Sequence, residues 1–281
     1  VTAIDLPVRT SAPLVRQLLA EVRWVLRRPR NLLALLMLAA LPVLLGTAIA
    51  LTSGPGGGRG GPSVLAAVAG NGLVLPVAAL VLAQSLLLPL VVAMVAADAL
   101  AGESAHGTLR GLLLAPVGRV RLVGVKAFGV LVMAVLAVSV VALSGVLTGL
   151  VVVGGGDLVT LSGSTVPFGS ALGRVALAVA WSAVQMAAVG AIALALSALT
   201  EHPLVVVVAT MGALITFGVL GTIQALDWLQ PVLITTDWSA VLGVLRDPIG
   251  WDEMTTGLLR AGCYLVIGVS ATVVRMVTKD A

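Results

Sequence analysis

Long apolar runs, each bounded by a cluster of charges or by Gly, Pro and Ser, recur along the whole chain. Six of them reach about 20 residues, the helix length that crosses a hydrocarbon core of roughly 30 Å. Their approximate limits are residues 31–51, 74–97, 130–153, 175–199, 204–225 and 255–274. None alternates apolar and polar positions over short segments, as the strands of a transmembrane barrel would. The pattern predicts an all-α, polytopic integral membrane protein: a single transmembrane domain over 31–281, preceded by a cytoplasmic segment over 1–30.

The interruptions carry further predictions. Residues 11–30, SAPLVRQLLAEVRWVLRRPR, place Leu14, Leu18, Val22 and Val25 along one helical face, with Arg16, Arg23, Arg27 and Trp24 mostly on the others. A basic amphipathic helix of this kind lies in a membrane interface; Pro29 then breaks it and turns the chain into the bilayer. Pro89, well inside the second run, predicts a kink. SGPGGGRGGPS (53–63) and GGGDLVTLSGSTVPFGS (154–170) read as outer loops, and residues 64–73 as a short interfacial approach. Thr200-Glu201-His202-Pro203 is so short a turn that the fourth and fifth spans must form a tight antiparallel pair. The connection over residues 227–254 is too polar to span and too apolar for a free loop. With Trp228, Trp238 and Trp251 as interfacial anchors and Asp227, Asp237, Asp247, Asp252 and Glu253 along its rim, it predicts re-entrant or interfacial helices before the last span.

Composition agrees with this plan. Of 281 residues, 59% are hydrophobic and 10% charged, against roughly 25% charged in a soluble domain, and the mean hydropathy is +1.16. The net charge of +4 reflects topology, with no nucleic-acid partner expected. With the N-terminus inside, Arg59, Arg174, Arg246 and Arg260 fall on the outer side. The remaining Lys and Arg fall inside, the bias of an inserted protein with both termini cytoplasmic. The first segment is too charged for a secretory signal, so the first span is expected to be retained. Cys263 is the single cysteine, which excludes an intrachain disulfide. The Ala, Val, Leu, Gly and Arg bias points to a bacterial cell membrane.

Candidate chemistry is sparse. No Gly-Lys-Ser/Thr follows the glycine-rich loop, so the chain carries no P-loop and nucleotide hydrolysis would need another polypeptide. His106 and His202 are the only histidines, and neither belongs to a metal cluster or to a catalytic constellation. No Asp, Glu or Lys falls near the centre of a span, which weighs against a proton- or sodium-coupled secondary transporter; a non-transporting membrane scaffold stays open as an alternative. Arg260 lies in the outer third of the last span, as an interfacial anchor or a functional charge. Gln84, Gln185, Thr210 and Thr216 are candidates either to line a substrate pathway or to bond helix to helix.

The stretch 98–126, DALAGESAHGTLRGLLLAPVGRVRLVGVK, stands between the second and third spans. Glu103, His106 and Arg110 recur at i, i+3 and i+7, with Leu109, Leu112 and Leu113 beside them, which predicts a short amphipathic helix over 103–114 ended by Pro116. Arg119, Arg121 and Lys126 follow as a basic loop. The pattern E-x3-G-T-L-x2-L-L-x2-P-V-x-R-x2-L-x3-K resembles the cytoplasmic signature of type-2 ATP-binding-cassette (ABC) exporter permeases, the drug and antibiotic efflux class. The Ser104-Ala105-His106 run departs from the more charged sequence of many relatives. The resemblance implies a coupling helix whose contact with the ATPase falls to Glu103, His106, Gly107, Thr108, Leu109, Arg110, Leu113, Pro116 and Arg119. It also implies two ATPase subunits that bind ATP and Mg, no cofactor in this chain, a second permease chain (a copy or a paralogue), and export of an apolar or amphipathic substrate.

Overall fold

The computed structural model describes residues 13–52, 71–105, 107, 118–154 and 157–278. The helices are α1 (Leu14–Arg27), α2 (Pro29–Thr52), α3 (Leu75–Ser85), α4 (Leu87–Ala97), α5 (Arg119–Thr148), α6 (Phe168–Leu199), α7 (Pro203–Leu220) and α8 (Trp251–Thr278). Six helical stretches are long and apolar enough to cross a membrane, in α2, α4 with its extension to Ala105, α5, α6, α7 and α8. The chain is thus an all-α, multi-pass membrane protein.

Proline sets the corners. Arg28 is extended (φ −73°, ψ 121°) immediately before Pro29, because the proline ring excludes helical geometry at the preceding residue; α1 therefore leaves the axis of α2 there. His202 is likewise extended before Pro203, the first residue of α7, which closes the tight α6–α7 turn. The kink expected from Pro89 falls at Leu86 (φ −148°, ψ −49°), where α3 ends and α4 begins. A proline ring clashes with the carbonyl of the residue four positions earlier, here Ser85, so the second apolar run becomes two helices instead of one.

Other boundaries differ from those expected. Arg119, Arg121 and Lys126 lie within α5, not in a loop before it; long basic side chains are good helix formers, and Lys126 has acidic partners to meet. The helix expected from residue 175 begins at Phe168, that expected to reach residue 225 ends at Leu220, and the last runs from Trp251 to Thr278. The second Gly/Ser-rich connection carries a small antiparallel hairpin, Leu158–Val159 with Thr165–Val166, that no apolar alternation announced. Part of it, like the whole 53–63 loop, lies outside the described residues.

α6 is the central helix, packed against α4, α5, α7 and α8. The spans approach closely through small residues, the usual solution where no water drives helices together. A Cβ at Gly145 of α5 would lie 2.7 Å from Pro76 Cα, and one at Gly268 of α8 would lie 2.6 Å from the Ala191 carbonyl carbon. Gly145→Val should therefore cost roughly 1–3 kcal/mol by overpacking against backbone. The detergent-solubilised variant should melt lower than wild type, whereas Gly173→Val, which meets nothing within 4 Å, should leave the melting temperature in place.

Candidate coupling site

The elbow between α1 and α2, the end of α4 and the start of α5 come together at one end of the bundle. Their meeting point is Lys126. Although charged, it is 4% exposed, and its ammonium donates to both carboxylate oxygens of Glu21, at 3.1 and 3.0 Å, and to Glu103. The Trp24 ring lies 4.8 Å from the Lys126 Nζ and 3.6 Å from the Arg28 guanidinium carbon, so two cations flank one aromatic face system. Arg28 in turn donates to Asp98 at 2.6 Å, and Arg30 also reaches that carboxylate. Asn31 closes the elbow by donating to the Val25 carbonyl at 2.8 Å.

Each contact has a local cause. Glu21 fits because position 129 of α5 is glycine: a Cβ there would lie 2.9 Å from Glu21 Cγ. Beyond Ala97 the helix widens into a π-helical turn, Asp98–Gly102. Ser197 of α6 explains it. Its hydroxyl donates to the Ala97 carbonyl (3.0 Å) and accepts from the Ala101 amide (2.9 Å). Those two groups would otherwise bond each other as i and i+4, so the inserted hydroxyl opens the ladder by one residue. Burial raises the Glu21 carboxyl above its ordinary value, against the opposing attraction of Lys126. The cleft between α1 and α5 at this point holds about 320 Å³ and is lined by Gln17, Glu21, Trp24, Glu103, Leu122 and Lys126.

The residues expected to meet an ATPase separate into groups. Glu103 is turned inward onto Lys126. The Arg119 guanidinium donates to the carbonyls of Met276 (3.2 Å) and Val277 (2.9 Å), capping the C-terminal end of α8. Gly107 has φ +70° and its N–H donates to the Ser104 carbonyl at 3.0 Å, a left-handed helix stop. The short helix that opens at Glu103 therefore stops at Gly107. His106, Thr108, Leu109, Arg110, Leu113 and Pro116 lie outside the described residues.

The pathway candidates also disperse. Gln84 accepts from Ser182 at 3.2 Å and Gln185 donates to the Gly257 carbonyl at 3.0 Å, so both serve the packing of α6. Thr210 and Thr216 donate back to their own helix, at Val206 and Gly212; Thr210 is buried and Thr216 exposed.

At the opposite end the 3₁₀ helices Gln224–Leu229 and Trp238–Leu245 are the short helices expected before the last span. Arg174 donates to the Val244 and Arg246 carbonyls at 3.1 and 2.6 Å, and so holds this segment instead of reaching outward. Arg260 donates to the Leu233 carbonyl at 3.0 Å and pairs with Asp237 at 2.9 Å, while burial raises the Asp237 carboxyl against the pull of Arg260. Trp228 and Trp251 are exposed, but Trp238 is buried in the bundle, a packing residue and not a surface anchor.

Two outcomes follow. Ser197→Ala should strand the Ala97 carbonyl or the Ala101 amide, or collapse the π turn. Either way it should lower stability by about 1–3 kcal/mol, read as earlier thermal unfolding in detergent. Lys126→Met removes the ammonium group that the buried Glu21 carboxylate shares with Glu103, at a cost of about 3–5 kcal/mol. A carboxyl whose value is raised by folding stabilises the fold below its ordinary value and loses that contribution as pH rises through the raised one. Melting of the Lys126→Met protein should accordingly be poorest near pH 8 and recover toward pH 5, more steeply than wild type.

No curated protein matches the chain at significant similarity. Residues 25–200, more than half of the chain, match the family described as ABC-2 family transporter protein. The matched segment opens at Val25, inside the elbow of the ionic cluster, and closes at the α6–α7 turn. It thereby takes in Asp98, Glu103, Lys126 and Ser197, and with the six spans it makes this chain a member of the ABC-2 transporter family, a permease subunit of an ABC transporter.

Proposed function

We propose that the chain is the membrane half of an exporter that carries an apolar or amphipathic substrate, such as a drug, antibiotic, lipid or hydrophobic peptide. The energy comes from ATP hydrolysed on Mg-loaded partner subunits. One observation carries the reading: the segment that would meet such a partner, residues 103–118, is clamped to the rest of the chain at both of its ends. Glu103 binds Lys126 before it, and Arg119 caps α8 after it. A displacement imposed on that segment from the water phase is thus delivered to α1, α5 and α8 together. The apolar cargo is supported by the few polar side chains of the bundle interior, most of whose groups bond to protein: Gln185 with Gly257, Thr210 with Val206 and the Gln84 Oε1 with Ser182, the Gln84 Nε2 alone among these being without a hydrogen bond.

Two such chains would pair, as copies or with a paralogue, and two ATPases would dock at the end that carries α1, on the cytoplasmic side of a bacterial membrane with both termini inside. The long apolar faces of α2, α7 and α8 are mostly unburied within one chain, which supports both lipid contact and a partner permease. The test is reconstitution of the chain with its co-purified ATPase in liposomes, following ATP hydrolysis and movement of a hydrophobic dye. The native pair should move dye only with ATP. Arg119→Gln should keep the ATPase bound and hydrolysing while transport falls at least tenfold. If no ATPase co-purifies, or if dye moves equally without ATP, the exporter reading fails and the scaffold or secondary-transport alternatives replace it.

A further inference from the structure

α1 is not a two-faced helix. Leu18, Glu21, Trp24 and Val25 turn toward the bundle, with Val25 1% exposed. Val15, Leu19, Val22 and Leu26 recur at i, i+4, i+7 and i+11 as a second apolar strip, and Val15 and Leu19 are 66% and 65% exposed. Between strip and bundle runs a third sector. At about 100° per residue, Arg16, Arg23 and Arg27 fall within roughly 40° of one another on the helix. All three are exposed. The acids nearest to α1 are already engaged, Glu21 and Glu103 by Lys126 and Asp98 by Arg28. Along the flank of α1, from Pro13 to Pro29, lies an open space of about 1210 Å³ onto which Arg16, Leu19, Arg23, Arg27 and Pro29 face. The apolar surface continues from it along α2, where Leu32, Leu33, Leu36 and Met37 are more than half exposed.

We infer that this face binds anionic phospholipid, headgroup phosphates held along the row Arg16, Arg23 and Arg27, about 16 Å long, and acyl chains laid along Val15, Leu19 and the exposed face of α2. Charge complementarity selects the headgroup: three guanidinium groups with no ion pair to an acidic side chain among the described residues create a local positive field, and guanidinium is suited to bidentate bonding of phosphate oxygens. The neighbouring strip selects lipid over an acidic protein surface, since a partner in the water phase would leave Val15 and Leu19 facing solvent beside the charges. The geometry is that of a helix lying at the depth where headgroups meet acyl chains. Because α1 also holds Glu21 against Lys126, lipid seated there fixes the helix that shares Lys126 with Glu103. The inference rests on the six-span membrane plan and not on the exporter reading.

The test is native mass spectrometry of the purified full chain in detergent, titrated with phosphatidylglycerol and with phosphatidylcholine. The wild type should retain phosphatidylglycerol preferentially, and the preference should shrink as salt is raised. Arg23→Gln should weaken phosphatidylglycerol binding roughly fivefold and the triple Arg16→Gln/Arg23→Gln/Arg27→Gln variant about a hundredfold. The triple Arg→Lys variant, which keeps the charge but not the bidentate fork, should fall between wild type and the glutamine triple, and Arg246→Gln at the opposite end should bind as wild type. The single variant decides the matter if the triple variant does not fold. Equal retention of both lipids by the wild type, or a preference that survives in the glutamine variants, overturns the proposal. So does displacement of phosphatidylglycerol by millimolar inorganic phosphate, which would make the stripe a free-anion site. Loss of a co-purifying ATPase from the glutamine variants, with lipid preference intact, would make it a protein-docking face instead.

Discussion

A buried ammonium group is the constraint from which the architecture of one end of this protein follows. Lys126 is nearly inaccessible to water, and a buried cation is costly unless carboxylates are brought to it. Glu21 and Glu103 supply them, from two separate segments that both precede it in the sequence. To satisfy the lysine, α1 must lie across the foot of α5, and the end of the second span must bend toward both. The details then become necessary. Position 129 must be glycine to admit Glu21, and Trp24 must stand where Lys126 and Arg28 can share its ring. Arg28, extended by the following proline, must reach Asp98. Removing the lysine would leave each of these arrangements without its reason.

The opposite end uses arginine in the same manner. Arg174 and Arg260 turn onto carbonyls and carboxylates of the 3₁₀ segments and so hold a stretch that has too little continuous helix to be stable alone. Between the two ends the spans meet through Gly145, Gly190, Gly257 and Gly268 and through the single bonds of Gln84 and Gln185. The distribution is physical. In hydrocarbon, packing of small residues and isolated amide bonds holds helices together at little desolvation cost. Charge is affordable only near the ends, where several partners can converge on it. The bundle is thus tied at two rims and able to repack in its middle.

The spans, the basic amphipathic helix before them, the proline corners and the short helices before the last span were legible in the sequence. Each rests on a local property: apolar run length, helical periodicity, or the fixed φ of proline. The ionic cluster was not legible, because Glu21, Glu103 and Lys126 are remote in sequence and only packing of α1 on α5 brings them together. Glu103 and Arg119 read as partner-facing for the same reason; their charges were visible, their direction was not. The π turn at Asp98–Gly102 depends on one hydroxyl from a helix almost a hundred residues further on, and the hairpin at Leu158–Val166 carries too few residues for any alternation. The two apolar strips of α1 merged into one in the sequence reading because periodicity shows which residues share a face, not which neighbour that face meets.

The π turn and the lysine cluster together determine how a push on the connecting segment would spread. Glu103 stands immediately beyond the turn whose ladder is completed by Ser197, so its backbone is fastened to α6 and its carboxylate to Lys126 on α5. Displacing Glu103 alone would expose a buried ammonium group and unpair two backbone groups at once, and buried polar groups are costly to leave unsatisfied. The cheaper motion carries Glu103, α1 and the foot of α5 together as one body. Its compliance must then come from contacts that are apolar and few, namely those of the middle of the spans, where glycine faces backbone and no charge needs to be re-paired. A rigid foot above a repackable waist is the mechanical requirement for converting a local displacement at the membrane surface into a change of packing across it.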